Sequence, residues 1–64
     1  MWIKAHFVES GDEIHIQTQN IAAVYPYQGD EQYKGQTVIQ FIGNEDSYLL
    51  VRETVAQIGE QILD

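Results

Sequence analysis

A chain of 64 residues with ten acidic and three basic side chains and no cysteine has room for one domain, 1–64, able to bury only roughly 60% of its unfolded surface. The lack of cysteine excludes disulfides, thiolate zinc sites and thiol nucleophiles, and the formal charge of −7 repels phosphate backbones and anionic headgroups, so direct nucleic-acid binding is not expected. Met1-Trp2-Ile3-Lys4 leads straight into an alternating segment and no apolar run reaches membrane-spanning length, so neither a secretory signal nor membrane insertion is expected and the default location is the cytoplasm.

Trp2 to Val8 alternate, with Ile3, Ala5 and Phe7 on one face and Trp2, Lys4, His6 and Val8 on the other, the pattern of a half-buried strand. Glu9-Ser10-Gly11-Asp12 is a turn cluster, and Glu13 to Gln17 alternate again with Ile14 and Ile16 inward, so the two segments predict a hairpin. A loop at Ser10-Gly11 would set Phe7 against Ile14 and His6 against His15; Gly11-Asp12 would shift the partners but keep the faces, whereas an odd loop would need a bulge. After the polar break Thr18-Gln19-Asn20, Ile21 to Tyr27 predicts a third strand, in which Pro26, lacking an amide donor, belongs at an edge, a bulge or the strand terminus, so that regular pairing stops near Tyr25. Gln28 to Gln36 is the longest irregular segment.

Thr37 to Ile42 and Ser47 to Val51 predict a second hairpin across Gly43-Asn44-Glu45-Asp46. An even loop would set Phe41 opposite Tyr48 and Ile39 opposite Leu50, leaving Val38, Ile42, Leu49 and Val51 as a second apolar face. Thr54 and Gln57 form a capping box ahead of Val55, Ile58, Ile62 and Leu63 at helical spacing, predicting an amphipathic helix of two to three turns, in which Gly59 either lowers propensity or permits close approach. The fold class is therefore α+β: a mainly antiparallel sheet or partial barrel of about five strands with one C-terminal helix. One helix covers one face, so the second must close on itself or meet a partner, most simply a second copy in a homodimer or higher oligomer.

The element order resembles that of the small FlbD-like flagellar and swarming-motility proteins. The resemblance is carried by Thr37-Val38-Ile39, the run Tyr48 to Val55, and Ile58 and Ile62, with Gly43-Asn44 and Glu53-Thr54 standing where the family has its asparagine-glycine turn and Glu-Ser helix entry. The family's asparagine-proline step is replaced by Gln17-Thr18-Gln19-Asn20, and the stretch around Asp30 to Gly35 is longer than the family's connection. The resemblance implies an accessory protein with no catalytic residue to transfer.

His6, His15 and Glu13 could share a surface, but zinc needs about three or four convergent ligands and a flat sheet face supplies them poorly, so two exposed strand histidines are expected and no metal or cofactor. No nucleophile-base set, paired-carboxylate site or phosphate loop is evident, and an enzyme is not expected. Trp2, Tyr25, Tyr27 and Tyr33 are candidate interface anchors. Tyr27 and Tyr33, with Asp30 and Glu31 beside them, form the best surface for a protein partner, and Val38, Ile42, Leu49 and Val51 form the candidate self-association face. Two functions follow. The first is a non-catalytic interaction or accessory protein that self-associates and binds another protein. The alternative is an acidic inhibitor, of the kind mobile elements encode, that places Asp12, Glu13, Asp30, Glu31, Glu45 and Asp46 in a basic nucleic-acid groove of an enzyme.

Overall fold

Period-two alternation places Ile3 and Ala5 inward on β1 (Trp2–His6) and Ile14 and Ile16 inward on β2 (Glu13–Gln17), which pairs with it antiparallel. The computed structural model describes residues 1–63, without the side chains at 44–46 and 63. Ala5 lies opposite Ile14 and Ile3 opposite Ile16. The expected Ser10-Gly11 loop is replaced by a four-residue one, closed by the Phe7 amide donating to the Asp12 carbonyl at 3.0 Å and the Gly11 amide to the Phe7 carbonyl at 3.0 Å. A shift of two residues keeps every side chain on its expected face. It does separate the histidines: His6 faces Glu13, and His15 faces Lys4.

The Thr18–Asn20 segment is a 3-10 turn that leads into β3 (Ile21–Pro26). A second sheet follows, β3 pairing with β4 (Thr37–Phe41) and β4 with β5 (Asn44–Val51), all antiparallel. An extra residue between Ile21 and Ala23 interrupts the β3–β4 ladder, and this bulge lets Ile21 and Val24, three apart, both pack on the core. As expected, Pro26 ends an edge strand, one residue past Tyr25. Pro26 lies opposite Thr37, and the Tyr27 amide donates to the Gln36 carbonyl at 2.7 Å. In this alternation the amide position of Pro26 points away from β4, so the missing donor costs no ladder bond on an edge strand.

The β4–β5 register differs from expectation by one residue. The chain reverses at Ile42-Gly43, with Gly43 at φ +79°, the positive value a type II turn needs at its second central residue, so that Phe41 faces Asn44. An irregularity between Gln40 and Phe41 then re-phases the ladder to Gln40 opposite Tyr48, Ile39 opposite Leu49 and Val38 opposite Leu50. A one-residue slip moves a whole strand's side chains to the other face. Leu49 and Val51 therefore join Ile39 inward, while Tyr48 and Leu50 join Val38 on the outer face.

The two sheets meet where Phe7 bridges to Val51, with the Val8 amide donating to the Leu50 carbonyl and the Arg52 amide to the His6 carbonyl; they are not closed into a barrel. Helix α1 (Val55–Leu63) starts on the expected capping box: the Thr54 amide donates to Gln57 Oε1 at 2.8 Å and the Gln57 amide to Thr54 Oγ1 at 3.1 Å. Ile58 enters the core with Ile3, Ala5, Ile16, Ile39 and Val51, and Ile62 packs beside it. Val55 stays 38% exposed, and Leu63's side chain lies outside the described residues. Gly59 has no neighbour within 4 Å of where a Cβ would stand, so the helix does not need glycine for close approach.

The same helix region closes the edge of β1 turned away from β2. At Lys4 both backbone groups point to that edge, and the Gln61 side chain meets both: Oε1 accepts from the Lys4 amide and Nε2 donates to the Lys4 carbonyl, each at 2.8 Å. At His6 the Glu53 carboxylate accepts from the amide at 2.9 Å. Two side chains thus stand in for a neighbouring strand, answering the requirement that main-chain polar groups find partners.

Candidate functional site

Because β3 and β5 present alternate residues to each face, Tyr25 on β3, Val38 on β4 and Tyr48 and Leu50 on β5 lie on the outer face of the three-stranded sheet. Tyr27, two residues beyond Tyr25, continues that face, and the connection to β4 brings Tyr33 onto it with an edge-on ring contact of 6.2 Å between centroids. All four tyrosines of the chain thus gather on one side. Tyr25 and Tyr48 remain 42% and 50% exposed, whereas Val38 is buried as the floor of a hollow of about 270 Å³ walled by Tyr25, Tyr27 and Tyr48. On the other side of Tyr48 a second hollow, about 450 Å³, is lined by Val8, Glu9, Tyr33 and Leu50.

Local bonds fix the rings. Tyr27 folds over Gly29, where any Cβ would run into its ring and hydroxyl, and its hydroxyl accepts from the Asp30 amide at 3.4 Å. A 3-10 turn at Glu31–Tyr33, with the Tyr33 amide donating to the Asp30 carbonyl at 3.1 Å, turns Tyr33 back towards Tyr27. The Tyr33 hydroxyl donates to Glu9 Oε1 at 2.6 Å, which raises its pKa above the ordinary tyrosine value, with desolvation adding to the effect. Tyr27, Asp30, Glu31 and Tyr33, grouped from the sequence, are therefore neighbours in space, with Asp30 and Glu31 exposed.

The four residues of the candidate self-association face are not brought together. Val51 is in the core, Leu49 packs against it, Val38 lies under the tyrosines, and Ile42 sits in the turn at 65% exposure. The register slip is the physical reason. A different exposed group forms around the Thr18–Asn20 turn: Met1, whose carbonyl accepts from the Thr18 amide; Trp2, opposite Gln17; and Ile42, whose amide donates to the Asn20 carbonyl. Met1 and Trp2 are 61% and 64% exposed.

No family model, curated protein or solved structure matches this chain.

The outer face of the first hairpin carries a polar string. Glu53 Oε2 lies 2.6 Å from His6 Nδ1, and Glu13 lies 3.0 Å from His15 Nε2 and 3.9 Å from both His6 Nε2 and Lys4 Nζ. Burial opposes the ionisation of Glu53, but hydrogen bonds from the His6 ring and backbone outweigh it and hold the pKa below the usual carboxylate value. The His15 hydrogen bond and then Lys4 lower that of Glu13. Among the described residues no group of three His, Asp or Glu side chains is placed to hold a metal ion, and no hydroxyl bonds to either imidazole. Of the carboxylates in the inhibitor alternative, Asp12 and Glu13 belong to the first hairpin and Asp30 and Glu31 to the β3–β4 connection; the side chains of Glu45 and Asp46 lie outside the described residues. No described helix is long and apolar enough to cross a membrane.

Tyr48 is the surface residue that sequence pattern misassigned, because both faces of its hairpin are apolar. The equal parity of Tyr25 in β3 and Tyr27 just past its end was the available signal for a tyrosine face.

Proposed function

We propose that this chain is a non-catalytic accessory protein that binds another protein through the tyrosine face of the β3–β4–β5 sheet. The observation that carries it is the convergence of Tyr25, Tyr27, Tyr33 and Tyr48 around two hollows on one side of the molecule. Tyrosine is favoured at binding surfaces because it offers a large rigid ring and a polar tip at little entropic cost. A role of this kind agrees with the resemblance to FlbD-like accessory proteins. The test is selection of peptides from a random library on the folded protein, followed by backbone amide shift mapping: binders should perturb Tyr25, Tyr27, Tyr33 and Tyr48. A set of binders that perturbs only other surfaces refutes the proposal.

Self-association belongs to the same proposal, moved to the end around the Thr18–Asn20 turn. Met1, Trp2 and Ile42 are exposed there beside a cleft of about 360 Å³ that includes Ile14, Phe41 and Leu49, and burying such a group is what drives a homodimer. Sedimentation over a wide concentration range should show dimers that Trp2→Ala weakens. A monomer at all concentrations up to about millimolar, the weakest association worth resolving, removes this part.

A further inference from the structure

Resting on the tyrosine face as a protein-binding surface, we propose that its occupant is an extended proline-rich segment in the polyproline II conformation that carries an arginine. The first argument concerns the backbone. The rings stand on the face of the sheet, and although Tyr25 belongs to its edge strand β3, a segment joining the ladder there would lie beside the sheet, two strands away from Tyr48, so an occupant of the whole face cannot complete its main-chain hydrogen bonds that way. Only a segment whose backbone makes no such demand fits, which leaves a helix or a polyproline helix.

The hydroxyl groups decide between these two. Among the described residues, Tyr33 donates its hydroxyl proton to Glu9, whereas no protein acceptor takes those of Tyr25, Tyr27 and Tyr48, and Tyr27 only accepts, from Asp30; an occupant that displaced water from these hydroxyls would have to supply the acceptors. A helix presents side chains and keeps its carbonyls for itself. A polyproline helix presents free carbonyls on all sides and, being proline-rich, few amide donors that would need partners here. The two hollows, sharing Tyr48 as a common wall, offer successive seats for the residues that a helix of about three residues per turn directs to one side.

Charge supplies the third argument. Glu9, Asp30 and Glu31 border the rings, and among the described residues no cation pairs with any of them. Of the nearby basic groups, Arg52 donates to the Val8 carbonyl at 3.1 and 3.2 Å, and Lys34 lines an adjoining hollow with Tyr27 and Glu31 without pairing with a carboxylate among the described residues. An arginine of the ligand would stack on a tyrosine ring and reach these carboxylates at once, a combination that the planar guanidinium serves better than an ammonium group.

The probe is a synthetic peptide of about four polyproline turns, built by repeating Pro-Pro-Ala-Pro-Pro-Arg, titrated into the full chain with amide shifts and tyrosine fluorescence as readouts. Shifts should concentrate at Val8 to Ser10, Tyr25 to Val38 and Tyr48 to Leu50, and affinity should fall with added salt. Tyr48→Ala should weaken binding about tenfold, Tyr48→Phe about threefold through the lost hydroxyl donor, and arginine-to-alanine in the peptide about tenfold. Ala56→Ser, on the exposed side of α1, should leave peptide affinity unchanged. Absence of binding, or shifts confined to the Met1–Trp2 end, overturns the assignment. Should library selection return helical or arginine-free peptides that still perturb the four tyrosines, the polyproline assignment falls and the interaction surface stands. Should every selected peptide miss them, both fall.

Discussion

Replacing Glu53 by alanine removes two bonds at once, the acceptor of the His6 amide at 2.9 Å and the partner of the His6 ring at 2.6 Å. The carboxylate is 18% exposed and the imidazole 39%, so water replaces the lost contacts only in part. A hydrogen bond to a charged group is worth about 1.5–3 kcal/mol; with the ring bond partly compensated by solvent, Glu53→Ala should cost about 2 kcal/mol. In a domain of this size each kcal/mol moves the melting temperature by roughly 4–8 °C, so a drop of roughly 8–16 °C is expected at neutral pH. The pH dependence adds an independent sign. Glu53 titrates in the folded protein below its ordinary value of 4.5, whereas the unfolded chain takes up the proton at that ordinary value. Its contribution is therefore complete above about pH 4.5 and lost as pH falls through the lower folded value. Circular-dichroism melts of both proteins between neutral pH and about pH 3 should show the two curves converging on the acid side; Glu13, whose pKa is also lowered, leaves the variant some residual acid sensitivity. A variant that melts within about 3 °C of the parent at neutral pH, with the same separation at every pH, would refute the clamp.

Three further substitutions test separate parts of the fold. Gly59→Ala fills open space in a helix and should raise stability by about 0.5–1 kcal/mol, read as a higher urea midpoint with unchanged slope. Thr37 is 1% exposed and its hydroxyl has no partner among the described residues, so Thr37→Val should stabilise by about 1 kcal/mol, whereas a loss of stability would mean that the hydroxyl is satisfied. Gln61→Ala uncovers the Lys4 amide and carbonyl and should speed hydrogen exchange at Lys4 about tenfold, with a thermodynamic cost near 1 kcal/mol because water reaches the site.

The legible and illegible parts of this chain differ in how far apart their causes lie. The capping box at Thr54 and Gln57 spans three residues and formed as its pattern implies. The inward placement of Ile3, Ala5, Ile14 and Ile16 survived a wrong loop length because any even shift preserves the alternation. The second hairpin offered no such protection: with Val38, Ile39, Leu49, Leu50 and Val51 all apolar, hydrophobic pattern does not choose a register, and the turn at Ile42-Gly43 chose it instead. The proline rule held, since Pro26 is the last residue of an edge strand, in the phase at which an amide is dispensable, and the strand ends one residue beyond Tyr25. Tyr27, Asp30, Glu31 and Tyr33 lie close along the chain and could be grouped from it; Tyr48 joined them only through the corrected register. The bonds from Glu53 and Gln61 to β1 cross 47 and 57 residues and left no local trace.

The Gln61 contacts have a consequence for how this protein fails. An amide group that mimics a peptide unit, seated on Lys4, occupies the place where a foreign β-strand would otherwise zip onto β1. Proteolytic loss of the last turns of α1 would therefore do more than soften the core: it would free the Lys4 amide and carbonyl between Ile3 and Ala5 on an edge that is then open to strand addition. A nick after Thr54 should therefore raise the rate at which the protein precipitates, read as turbidity against time.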